Sequence, residues 1–151
     1  MRAREAKLGR TFVVAFDHGD DYFGALADFC ARHNVRQGYI PSFIAGFRGV
    51  DIVGTCDKLD DPMAPVWTKV HLENVEAFGG GSIAFDEGEQ RAAPHIHVAV
   101  GLKGHGAVGH TSHLLAATVQ FLTEMLIVEI SSPTMRRVKN PELYDVPLMD
   151  F

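Results

Sequence analysis

The stretch Gln37–Val53, QGYIPSFIAGFRGVDIV, holds two extended runs, Gln37 to Phe43 and Phe47 to Val53, rich in β-branched and aromatic residues and parted by glycine. The same texture returns at Trp67 to Asn74, Val75 to Ile83 and His95 to Val100, each run bounded by glycine, proline or aspartate. Punctuation at such short intervals predicts antiparallel strands joined by turns, not repeated strand–helix crossovers. Between them, Asp57 to Pro65 carries two prolines and reads as an exposed connector.

Working upstream, Thr11 to Phe16 predicts a strand that runs into a Gly/Asp turn. Asp20 or Asp21 can then cap a helix by accepting hydrogen bonds from its free N–H groups. Phe23, Leu26, Ala27 and Cys30 fall on one helical face, Arg32 and His33 suit the last turn, and Asn34 is a left-handed terminator. Downstream, Leu114, Ala117, Phe121 and Met125 have helical spacing, while Val119 to Ile130 is apolar on both faces, as in a buried strand. The expectation is a short turn of helix, His113 to Ala117, feeding a long central strand. The apolar tail Tyr144 to Phe151 is expected to pack on the body or on a neighbouring subunit.

A chain of 151 residues can bury roughly two thirds of the surface it exposes when unfolded, enough for a core without staples. Residues 1–151 therefore read as a single α/β domain. Cys30 and Cys56 are too few and too far apart for a disulfide framework or a zinc ribbon, which points to a reduced, cytoplasmic protein. The short apolar run Phe12 to Phe16 is neither a signal peptide nor a membrane span. The net charge of −5 repels phosphate backbones and disfavours unaided DNA binding. The basic groups Arg2/Arg4/Lys7/Arg10 and Arg136/Arg137/Lys139 read as solvated.

Chemistry concentrates in the histidines, of which there are eight. In Pro94-His95-Ile96-His97-Val98, residues two apart on a strand project from one face, so His95 and His97 can reach one ion while Ile96 and Val98 point to the core. His113, beyond the glycine-rich stretch Gly104 to His110, is placed to fold back as a third ligand, and His110 is the alternative. Three imidazoles with an open position form a known zinc geometry; a hydrogen-bonded structural pair is the competing account. His18, His33, His71 and His105 read as surface or structural residues, and Glu73 and Glu76 as edge or salt-bridged carboxylates. Glu124, inside an apolar run, needs a partner if it is buried. Gly79-Gly80-Gly81-Ser82 lacks the Lys-Ser/Thr ending of a phosphate loop and reads as a strand turn or bulge where backbones approach closely.

Taken in order, a strand, Gly-Asp-Asp before a helix, Glu73-Asn74-Val75-Glu76 ahead of the triple glycine, Pro-His-Ile-His-Val, a glycine-rich turn and His113-Leu114-Leu115 before a long apolar strand resemble the plants-and-prokaryotes conserved (PPC) domain. The likeness spans about Leu8 to Ile130, with 131–151 as a tail. It implies an α+β fold, a mainly antiparallel sheet packed on one principal helix, assembled as a homotrimer. It also implies a bound metal, zinc or another divalent ion, at His95, His97 and His113. Where the family has Gly-Gly-His-Leu, this chain has Thr111-Ser112-His113-Leu114, which keeps His110 in contention.

Prokaryotic members are often labelled DNA-binding, but the AT-hook of the plant relatives is absent here. The leading expectation is therefore a homotrimeric metal-binding domain serving as a regulatory or interaction module, more plausibly not an enzyme. The alternatives are a zinc-dependent small-molecule enzyme with a three-histidine site and a metal-free trimeric scaffold.

Overall fold

Strand pairing, rather than a covering helix, encloses the core of this protein. The computed structural model describes residues 1–55, 60–66, 68–104 and 108–151. Its elements run β1 (Lys7–Asp17), α1 (Tyr22–His33), β2 (Gly38–Val53), β3 (Val70–Asp86), β4 (Arg91–Leu102), β5 (Gly109–Ser132), β6 (Arg136–Asn140), a single 3-10 turn (Pro141–Leu143) and β7 (Val146–Asp150). β2 pairs with β3, β3 with β4, β4 with the start of β5, and β5 with β2, so the antiparallel ladder returns on itself as a closed barrel. β1 lies along the second half of β5, from Leu122 to Ser132, on the edge that β4 leaves open.

The expected sheet packed on one principal helix is thus corrected: the barrel buries its own inner face, and the helix fills a local gap. The physical reason is one of length. A 12-residue helix spans only about 18 Å, too little to cover strands of up to 24 residues. Closure does that work instead, since the inner face of a closed barrel is filled by its own side chains. α1 packs against β4 and β5 and sends Tyr22, Leu26, Phe29 and Cys30 into the core. Tyr22 meets Phe16, Phe43 and Phe47 at ring-centroid distances of 5.7, 5.4 and 5.7 Å. Each such buried aromatic contributes roughly 1.5–3 kcal/mol by leaving water.

The helix ends follow their residue chemistry. Asp21 accepts from the Gly24 N–H at 2.8 Å, and Asn34 closes the helix in the left-handed region at φ 51°. Asp21→Ala should cost about 1 kcal/mol of stability, readable as a shift in the urea midpoint at unchanged slope; an unshifted midpoint would show that the cap contributes nothing.

Two further expectations change in space. The two runs of Gln37–Val53 join as one strand, β2, and the two runs around Asn74 join as β3. His113 to Ala117 is strand, not a helical turn. His113 sits between His97 and Val53, and Leu114 and Ala117 face Ile52 and Val50 across the β2 ladder. The β2 ladder along Leu114–Ala117, with β4 added on the other side at His113, outweighs a local helical spacing. Near the C-terminus β7 pairs with β6, and Met149 and Phe151 lie against Ala84, Ile130 and Met135. Among the described residues, no helix is long and apolar enough to cross a membrane.

Candidate metal centre

Strand alternation decides which histidines meet. On β4, Ile96 and Val98 point into the core and are buried, so His95 and His97 face outward together. His97 is directly opposite His113 in the β4–β5 ladder, and opposed residues share a face. His113 therefore joins the pair on the outside of the barrel wall. His110 is three residues away on the same strand and faces Val100, on the opposite side. The register thus brings His113, and not His110, beside the pair on β4.

The three rings form a compact group. Ring centroids lie 5.1 Å apart for His95–His97, 4.7 Å for His95–His113 and 5.4 Å for His97–His113. His95 Nε2 and His97 Nε2 are 3.1 Å apart, and one potential ligand nitrogen from each residue falls within 4.8 Å of the others. Two nitrogens bound to one zinc at ~2.1 Å across a tetrahedral angle are ~3.4 Å apart. The His95–His97 spacing already fits, and the third ring needs only a modest swing about its side-chain torsions. The donor set suits a borderline-soft divalent cation.

Electrostatics favour the form that binds metal. Burial, reinforced by His113, Arg137 and His97, pulls the His95 pKa down to about 4. Burial, followed by His97 and Arg137, also lowers that of His113. Both imidazoles are then neutral at physiological pH, and a neutral imidazole has a lone pair to offer.

Around the rings lies a cleft of ≈ 420 Å³ between the barrel wall and the β6–β7 hairpin. Val53, Pro94, Val146 and Pro147 supply apolar walls, and Ser112 is tied to the Val53 carbonyl through its hydroxyl. Arg137 enters from β6, only 9% exposed, and donates from Nη2 to Ser82 Oγ at 2.7 Å. Ser82 is in turn the ladder partner of His95. The expectation that Arg136 and Arg137 are both solvated holds for Arg136 and fails for Arg137. Period-two alternation was the available signal, because on a strand one of two adjacent arginines must turn inward.

The other candidates stay apart from this group. His71 is held by Asp51, Nδ1 to Oδ1 at 2.7 Å, on an exposed face. His18 accepts from the Phe121 N–H through Nδ1 at 3.0 Å, and His33 stacks near Phe12 and Phe29. Glu73, Glu76 and Glu124 are exposed, so Glu124 needs no buried partner. Cys30 is buried in the core; Cys56 and His105 lie outside the described residues. The triple glycine is the point of closest backbone approach: a Cβ on Gly79 or Gly81 would meet the carbonyl oxygens of His97 or His95 at 2.6 and 2.1 Å.

This outer-wall histidine trio on a closed barrel accompanies a match to the Plants and Prokaryotes Conserved (PCC) domain over residues 3–131. The chain belongs to that family. Several solved structures share the PCC fold. A metal-containing protein from Archaeoglobus fulgidus is 22% identical with a TM-score of 0.80, the match covering 98% of this chain and 99% of that one. A plant- and prokaryote-conserved protein from Pyrococcus horikoshii is 18% identical with a TM-score of 0.73, covering 100% and 98%. A candidate DNA-binding protein from Bacteroides thetaiotaomicron is 20% identical with a TM-score of 0.76, covering 98% and 99%. At these identities the likeness speaks for the fold alone. Comparison with curated proteins gives no match.

Proposed function

We propose that this PCC protein is a homotrimeric, cytoplasmic metal-binding domain that holds zinc or another divalent ion on His95, His97 and His113 and serves as a regulatory or interaction module. The observation that carries the proposal is the convergence of three imidazoles from two adjacent strands, two of them pushed toward neutrality. When bound, the ion would supply Lewis acidity and an open coordination position facing the cleft. The name of the Archaeoglobus relative, a metal-containing protein, supports the same direction.

Self-association has a physical motive in the outer wall. Phe78 and Ile44 are directly opposed across β3 and β2, and both are exposed. Val13 and Phe121 extend the apolar surface onto β1 and β5. A symmetric trimer of this chain would take that surface out of water. Against an enzyme stands the use of Asp86, the carboxylate lining the cleft: its Oδ1 already accepts from the N–H groups of Gly88 and Glu89 at 2.9 and 3.0 Å. Against DNA stands the net charge of −5, which opposes a phosphate backbone.

Elemental analysis of protein purified without an affinity tag, paired with sedimentation, tests the proposal. The expected result is about one divalent ion per chain in a trimeric particle, with the ion missing from the H95A/H97A double variant. A metal-free preparation that takes up no added zinc would overturn the metal assignment, and a monomer at micromolar concentration would overturn the trimer.

A further inference from the structure

Arg137 carries a charge that the three-histidine site does not answer. Its guanidinium presents five N–H donors and a permanent positive charge, yet among the described residues its hydrogen-bond partner is a single hydroxyl, that of Ser82. Its ladder neighbour Asp86 is turned to the backbone of the following turn. Among the described residues, no carboxylate forms an ion pair with Arg137, whereas Arg2, Arg10, Arg91 and Arg136 each have one. Those four arginines are at the surface, where pairing matters least. The buried one, where an unneutralised cation is most strongly disfavoured, lacks it.

The surroundings specify what could answer that charge. Arg137 and the three histidines line one cleft of ≈ 420 Å³, a size suited to a small organic molecule rather than to a lone ion. The remaining walls include Val53, Pro94, Val146 and Pro147, which offer an apolar bed and little to hydrogen-bond. We propose that the cleft binds a small organic carboxylate, its oxygens held by the Arg137 guanidinium and its apolar part lying against the Val53/Pro94 and Val146/Pro147 walls. A planar, bidentate guanidinium matches a carboxylate in geometry as well as in charge. The site deepens the metal assignment and rests on it only for the additional attraction that a bound cation would exert on the same oxygens. Binding of such a ligand would give the module a signal to sense.

The test follows the Nε–Hε resonance of Arg137 by NMR in the full chain, zinc-loaded and metal-free, titrated with butyrate and separately with inorganic phosphate. The resonance is assigned by its loss in R137K. Expected is a saturable shift with butyrate in the zinc-loaded chain, and butyrate binding at least about tenfold weaker in R137Q, as loss of a charge-assisted pair implies, with zinc content unchanged. A zinc-loaded chain whose Arg137 resonance ignores butyrate, or answers phosphate alone, overturns the carboxylate site and leaves the metal assignment standing. A chain that takes no zinc but still shows the butyrate shift does the reverse. If both variants fail to fold, the Arg137 resonance is identified by triple-resonance assignment of the unaltered chain, whose titration decides by the same criteria.

Discussion

Replacing His113 by alanine lowers the affinity for zinc by more than about 100-fold, while replacing His110 leaves it unchanged. Losing an outer partner of a metal ligand already costs about 10–100-fold, and His113 supplies one of only three imidazoles in the group. What remains in H113A is the pair on β4, which can chelate but leaves the ion open on two sides. His110 makes a sharp control because it has the same chemistry, lies on the same strand and differs only in the face it occupies, opposite Val100 instead of His97. Competition against a chromophoric zinc chelator at neutral pH reads both variants, and circular dichroism checks that each stays folded. Equal losses in H110A and H113A would remove the register argument on which the site is built.

Gly81→Ala unfolds or severely destabilises the protein, by about 3 kcal/mol or more, at the upper end of what overpacking costs. A Cβ at this position would lie 2.1 Å from the His95 carbonyl oxygen and 2.8 Å from Ile96 Cδ1. The first of these contacts is with backbone, so no rotamer change relieves it. Relief has to come from shifting β4 against β3, where Gly81 pairs with Ile96 and Ser82 with His95. That shift would also disturb the His95–His97 spacing, so any surviving folded G81A protein should bind zinc more weakly. Gly101→Ala is the matched control: it lies on the same ladder, opposite Glu76, and a Cβ there meets nothing within 4 Å. Its stability should stay within about 1 kcal/mol of that of the unaltered chain, any gain reflecting reduced unfolded-state freedom. Urea unfolding measures both. A G81A midpoint equal to that of the unaltered chain would mean that the strands do not approach as closely as described.

The two results bear on one piece of architecture. The triple glycine sits where β3 pairs with β4 and a Cβ would strike the β4 carbonyl oxygens, a use of glycine expected at a tight bend in a barrel wall. β4 carries two of the histidines and forms the seam with β5, which carries the third. A barrel that closed differently would keep His95 and His97 together and lose His113.

Much of this was legible in the residues, and the exceptions have identifiable causes. The helix caps at Asp21 and Asn34, the outward pairing of His95 and His97 and the close approach at Gly79–Gly81 are short-range matters, governed by φ/ψ preferences and strand periodicity. The spacing of His113 to Ala117 is ambiguous alone, and what makes it strand is the β2 ladder beside it, joined by β4 at His113. The charged neighbours of Arg137 in sequence suggest a solvated residue, and its burial depends on the placement of β6 between β3 and β7.

The strand-rich texture, the capped helix and the paired-imidazole face of β4 depend on contacts within a few residues and are written locally in the chain. Barrel closure, the meeting of His113 rather than His110 with that pair, and the place of Arg137 in the same cleft arise from long-range pairing. Those outcomes depend on ladder register between segments far apart in the chain, where a shift of one residue would turn every side chain to the opposite face.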